Sequence, residues 1–231
     1  MPLPSGLPEF PVSAASGHTP VIYLHGFASS PDSTKARYFS ERLGARGVPL
    51  VTPDFNQPDF ATLTMSRMLT QLSSHLDDAG GRVSLIGSSL GGALAVLAAA
   101  RHPEQIERLV LLAPAVMLAK PGHSLLPPER IAEWQHRGAL PFFHYASGEE
   151  RLLDYAFYVD SLAHDPYEAV FTQPTLIFQG LHDTVVDCRS VEQFAQGRSN
   201  VTLSLLEDDH QLGQSLPRMW ESVEDFLGLL D

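Results

Sequence analysis

The stretch GSSLGG at residues 87–92 lies between the apolar run RVSLI and the Ala-rich segment ALAVLAAARHPEQI. The first reads as a strand covered on both faces, the second as a helix slim enough to lie close to a sheet. An ordinary turn between them needs at most one glycine. The G-x-S-x-G spacing centres on Ser89, because centring it on Ser88 would require glycines where Ile86 and Leu90 stand. Such a turn forces its central residue into a strained conformation and leaves no room for side chains two positions to either side. Gly92 lets the helix approach the sheet. The turn also sets Ser89 at the positive end of the following helix, where the Leu90 N–H has no intrahelical partner and can donate to a developing oxyanion.

The rest of the chain repeats the strand-then-helix rhythm that builds a parallel sheet. VIYLHGF, PLVTPDF, RVSLIGS, RLVLLAPAV, TLIFQGLHD and VTLSLLEDDH read as strands. STKARYFSERLGARG, FATLTMSRMLTQLSSHLDDAGG, DCRSVEQFAQG and SLPRMWESVEDFLGLL read as helices. Leu63, Met65, Met68, Leu69, Leu72 and Leu76 form the apolar stripe of the second, and Met219, Trp220, Val223, Phe226 and Leu227 that of the last. The class is α/β, mostly parallel sheet flanked by helices, in a single domain over 1–231. Residues 119–173 interrupt the rhythm: they are rich in aromatic residues and proline, helical in pieces, without a convincing strand. An insertion of that length between core strands reads as a cap over a site.

Composition narrows the partners. Fifteen Lys and Arg against 27 Asp and Glu leave a net charge of −12, which repels phosphate backbones and anionic lipid surfaces. The Pro-rich opening lacks a basic segment followed by an apolar run, and ALAVLAAA is far too short for a membrane span. With Cys188 as the one cysteine, no internal disulfide is possible, and a reducing, cytoplasmic setting is the expectation. Cys188 itself reads as a residue at a helix start.

A serine at such a turn needs a base to take its proton and a carboxylate to orient the base. In a strand-and-helix fold of this kind they arrive in the order Ser, Asp, His, each just beyond a late strand. Asp183 follows TLIFQG and His210 follows VTLSLLEDD, so both positions match. Asp187 reads as the cap of the next helix, His182 as a loop residue, and Asp208 and Asp209 as loop carboxylates. The second oxyanion donor is expected after the first strand, at the Phe27 N–H in YLHGFASSPDS. There His25 orders the loop and borders the pocket. Histidines 123, 136, 144 and 164 show no metal-ligand spacing. In the insertion, Trp134, Phe142, Phe143 and Tyr145 are candidates to line a substrate pocket.

HGF, GSSLGG, GLHDTVV and the terminal DDH resemble the α/β-hydrolase superfamily over residues 20–231, and IYLHGFASSPDSTKA is similar to the small bacterial YqiA/YcfP-like esterase group. The chain departs from that group in its large aromatic insertion. The reading that follows is cleavage of a small carboxylic ester through an acyl-enzyme, with no cofactor and no metal. The same triad also serves thioesterases and carbon–carbon bond hydrolases, and a non-catalytic small-molecule-binding member of the fold is the rival from another class. Serine rather than aspartate at the elbow argues against dehalogenase and epoxide-hydrolase chemistry.

Overall fold

A computed structural model describes residues 18–118, 120 and 126–230. His123 and most of the Pro-rich opening lie outside them. The core elements are β1 (Val21–Leu24), α1 (Thr34–Ala45), β2 (Leu50–Val51), a short 3₁₀ turn at Phe60–Thr62, α2 (Met65–Ala79), β3 (Val83–Ser88), α3 (Leu90–Arg101) and β4 (Ile106–Leu112). An insertion then carries α4 (Pro128–Arg137), β5 (Ala139–His144), β6 (Glu149–Asp154) and α5 (Ala156–Ser161). The core resumes with β7 (Thr175–Gly180), α6 (Cys188–Ala195), β8 (Val201–Leu206) and α7 (Leu216–Phe226).

The core sheet runs β2-β1-β3-β4-β7-β8, every neighbouring pair parallel. The period-2 alternation of strands sorts side chains onto two faces. Val21 and Tyr23 of β1 pack with Phe39 and Leu43 of α1 and Met219, Trp220 and Val223 of α7. Ile22 and Leu24 face the other way, onto α2 and α3. The stripe from Leu63 to Leu76 is buried there as its spacing requires. Thr64 caps α2 by accepting the Arg67 N–H, and Gly80 closes it in the left-handed conformation. The alanines of α3 let that helix sink between sheet and neighbours, buried from Leu90 to Ala99.

Two features of this topology position a site. The chain leaves β1 for β2 on one side and returns to β3 on the other, so the loops after β1 and β3 diverge and open a crevice at the carboxyl ends of the strands. The insertion enters between β4 and β7. The expectation of helical pieces without a strand is corrected in one respect: β5 and β6 form an antiparallel hairpin, Ala139 opposite Asp154 through His144 opposite Glu149. The hairpin is hidden in the sequence for physical reasons. Pro141 occupies a strand position, which the two free edges of a lone hairpin tolerate. Its partner β6, EERLLD, is largely exposed and carries almost no apolar signal.

Candidate active site

Ser89 sits between β3 and α3 at φ 52°, ψ −113°, a left-handed strain of about 1–3 kcal/mol for a residue with a β carbon. The surrounding backbone holds it there. Its N–H donates to Leu112 O at 2.9 Å, and its carbonyl accepts from the amides of Gly92, Ala115 and Ala93 at 2.9, 3.0 and 3.2 Å. The glycines are steric necessities. A β carbon on Gly87 would stand 2.4 Å from Gly91 O, and one on Gly91 2.1 Å from Leu24 O. At Gly92 it would meet Pro114 at 2.7 Å. The Leu90 N–H, first of its helix, has no acceptor among the described residues.

The loop after β1 lies against this turn. Leu24 pairs with Gly87, and the position a β carbon would take on Gly26 is 3.5 Å from the Ser89 β carbon. The Phe27 N–H likewise finds no acceptor among the described residues. His25 orders the loop: its Nε2 accepts the Phe55 N–H at 3.1 Å, so its proton resides on Nδ1 and is donated to Gly26 O at 2.9 Å. Both ring nitrogens are committed to backbone, which makes His25 a brace.

At the other end of the crevice, β7 and β8 deliver the acid and the histidine. A β carbon on Gly180 would lie 2.5 Å from Asp208 O and 2.6 Å from Asp209 O, so the two loops run in backbone contact. His210 Nδ1 donates to Asp183 Oδ2 at 2.8 Å, which leaves Nε2 as the nitrogen free to face a nucleophile. The Asp183 side chain is fully shielded from solvent. Its Oδ1 accepts the Val185 and Val186 amides, each at 2.8 Å, and its Oδ2 the Gln179 side-chain amide at 3.0 Å. Burial pushes the Asp183 carboxyl up, but the bond from His210 and the two amides outweigh it and hold the carboxyl below the ordinary range. The competing residues have other duties. Asp187 caps α6 by accepting the Arg189 N–H, His182 is exposed and pairs with Glu207, and buried Asp208 accepts the Asp209 and Ser215 amides.

The comparisons with known proteins place the chain. A family model described as Uncharacterised protein family (UPF0227) matches residues 20–227. The chain belongs to UPF0227. Mouse palmitoyl-protein thioesterase ABHD10, a mitochondrial protein, is 29% identical over 195 residues, 79% of this chain and 65% of the relative. The UPF0227 chain thus spans slightly less than two thirds of that relative's length. The structure of mouse alpha/beta hydrolase domain-containing protein 10 matches with a TM-score of 0.77 and 26% identity, covering 91% of this chain and 90% of the other. Est1E from Butyrivibrio proteoclasticus with ferulic acid bound matches with a TM-score of 0.80 and 24% identity, covering 95% and 92%. The protein is an α/β hydrolase by fold, with esterase and thioesterase relatives.

Within this UPF0227 fold the aromatic candidates separate. Phe142 meets the loop after β1, its ring edge-on to Phe27 at 5.4 Å. Trp134 does not: it is buried in the insertion, its indole N–H donating to Leu153 O at 2.8 Å. Phe143 and Tyr145 are 52% and 71% exposed and pack on each other on the outer side of the hairpin. Cys188 opens α6, and burial pushes its thiol up, so it is a poor nucleophile.

Sequence reasoning missed three features. Gln179, fully buried in β7, braces Asp183 and could have been noticed as a lone polar residue in TLIFQG. Lys35 of α1 donates to Gln211 O at 2.9 Å and so holds the His210 loop. No local signal marks it. The third is a second Ser–His–Asp cluster joining α2, α3 and the insertion. Ser66 Oγ donates to Asp160 Oδ1 at 2.6 Å, and the Ser66 N–H to Oδ2 at 2.8 Å. His164 Nε2 lies 2.8 Å from Ser66 Oγ, and Arg101 Nη2 donates to His164 Nδ1 at 2.9 Å.

Proposed function

We propose that this protein is a serine hydrolase of carboxylic esters, working through an acyl-enzyme on Ser89. The observation that carries the reading is a histidine after β8 whose Nδ1 is bound at 2.8 Å to a shielded carboxylate after β7, in a chain that also holds a strained serine at the β3-to-α3 turn. In this reading His210 Nε2 accepts the Ser89 hydroxyl proton as Oγ attacks the ester carbonyl. The carbonyl oxygen gains negative charge and is met by the Leu90 and Phe27 N–H groups, which are worth about 3–4 kcal/mol per donor in such holes. Collapse expels the alcohol, which takes the proton from His210. Water then repeats the sequence, with His210 accepting its proton, and releases the carboxylic acid. Asp183 stays ionised throughout, fixes the His210 tautomer and stabilises the imidazolium.

The rings of Phe60 and Phe142 that pack on Phe27, in the loop against the Ser89 turn, suit an apolar acyl group. A thioester substrate is the second reading, favoured by the mouse relative whose name is a palmitoyl-protein thioesterase. The test is intact mass after exposure to a fluorophosphonate, followed by peptide mapping. One adduct on Ser89, absent in Ser89→Ala, is the expected result; a folded protein that takes no adduct sinks the proposal. Paired octanoyl oxyester and thioester substrates then decide between the two readings by their kcat/KM ratio.

A further inference from the structure

Phe27 does two things with one residue. In the hydrolase reading, on which this inference rests, its N–H is an oxyanion donor. Its ring meanwhile lies among three others: Phe60 at 5.6 Å, Phe142 at 5.4 Å and 83°, and Phe157 at 5.6 Å. Phe60 belongs to the 3₁₀ turn of the core. Phe142 comes from β5 and Phe157 from α5, both in the insertion.

The backbone here does little to fix itself. Gly26 precedes Phe27, Ala28 follows at φ 53°, and the nearest turn bond, Ser29 N–H to Gly26 O, is a long 3.3 Å. The Gly26 carbonyl and the Phe27 N–H belong to one planar peptide unit. His25 Nδ1 grips that unit at the carbonyl end, at 2.9 Å. The other end is anchored by where the Phe27 ring is held. The holding rings are themselves fixed: Trp134 backs Phe142 at 5.0 Å and stacks on Phe157 at 6.4 Å, and its indole N–H is tied to Leu153 O. Strand alternation turns Leu140, Phe142 and His144 of β5 inward together, and His144 packs edge-on over Phe60 at 4.7 Å.

We infer that Phe142 and Phe157 are positioning residues for the oxyanion donor, so that the insertion completes the oxyanion hole as well as covering the crevice. Catalysis of an ester too small to touch the insertion then still depends on these rings. Displacing a donor by about 1 Å costs on the order of a hundredfold in rate.

The experiment compares wild type with Phe142→Leu, Phe157→Leu, Phe142→Ala and, as a control on the outer hairpin surface, Leu152→Ala, using p-nitrophenyl acetate. The leucine variants keep apolar volume and guard against loss of folding, which melting curves monitor. The expected result is a fall in kcat of about ten- to a hundredfold with KM within about threefold in the phenylalanine variants, and no change in the control. In parallel, 15N relaxation of the Phe27 amide should drop from about 0.85 toward 0.6 in order parameter. A kcat within twofold of wild type in folded variants overturns the inference, as does a rise in KM alone, which would make the rings substrate contacts. A wild type that takes no fluorophosphonate at Ser89 sinks the hydrolase reading instead, and the Phe27 amide then decides the ring clamp alone.

Discussion

In the hydrolase reading Ser89, His210 and Asp183 act together; Ser66, His164 and Asp160 form a hydrogen-bonded cluster of the same three residue types. Their wiring is opposite. In the first, the carboxylate holds the histidine at Nδ1 and leaves Nε2 without a hydrogen bond among the described residues. In the second, the carboxylate accepts a hydrogen bond from the serine hydroxyl itself, and an arginine, which can only donate, occupies the histidine's Nδ1. His164 is thereby held neutral with its proton on Nε2, pointed at the Ser66 oxygen. His164 therefore has no lone pair turned to Ser66 with which to act as its base. The backbones differ too: Ser89 is strained at a helix entrance, whereas Ser66 lies in the first turn of α2 with Asp160 bonded to its amide. Residue types make neither cluster catalytic; the direction of the hydrogen bonds decides. The second cluster is a clasp tying α5 and the segment after it to α2 and α3.

The comparison breaks most sharply at the two serines. Ser89→Ala is expected to lower kcat by about 10⁴- to 10⁶-fold without loss of folding. Ser66→Ala should instead lower stability by about 1–3 kcal/mol, in a urea titration, while kcat moves less than about tenfold. A Ser66 variant as inactive as the Ser89 variant would make the clasp part of the catalytic machinery. The acids come next: Asp183→Asn is expected to cost about 10²- to 10⁴-fold in kcat, because the amide can stabilise the wrong His210 tautomer. An asparagine variant with wild-type kcat would remove Asp183 from the triad.

A smaller effect sharpens the geometry. Gly180→Ala forces a β carbon into the Asp208 and Asp209 carbonyls, and separation of acid from base should lower kcat by about ten- to a hundredfold. Its signature is the loss or shift of the low-field His210 Nδ1 proton in the NMR spectrum.

The smallest effect concerns pH. Burial holds the His164 imidazole below its ordinary value, the Arg101 charge adding to this against Asp160. An unfolded chain therefore binds the proton first as pH falls through about 6.5, so stability is full above that pH and declines below it. His75 and His144 are shifted the same way, each mainly by burial. The prediction is thus a difference: His164→Gln should flatten part of the fall in Tm between about pH 6.5 and 5. An unchanged slope would show that the clasp does not titrate.

How much of this was legible in the chain follows from the range of the interactions. The elbow could be read from its glycines because the clashes that exclude side chains arise within six residues and the strands they join. Asp183 and His210 stand out because each follows a readable late strand, and the structure bonds them to each other because β7 and β8 are neighbours. The hairpin was lost to Pro141 and to the charged β6. Gln179 was visible but looked like an ordinary strand residue, since only its depth gives it meaning. Lys35 and Gln211 lie 176 positions apart, and Ser66 and His164 98 apart. Neither pairing leaves a local trace.

The close contact at Gly180 has a consequence for how such a protein can change. The spacing between Asp183 and His210 is set by main chain resting on main chain, and Ser89 is likewise held by the Leu112 carbonyl at the end of β4 and by the amides of Ala115 and the start of α3. Among the described residues, no side chain of the insertion takes part in either. In the hydrolase reading, the surface that meets the substrate can therefore be recarved ring by ring without moving the backbone that spaces Asp183, His210 and Ser89, so long as the few rings gripping the first loop keep their places.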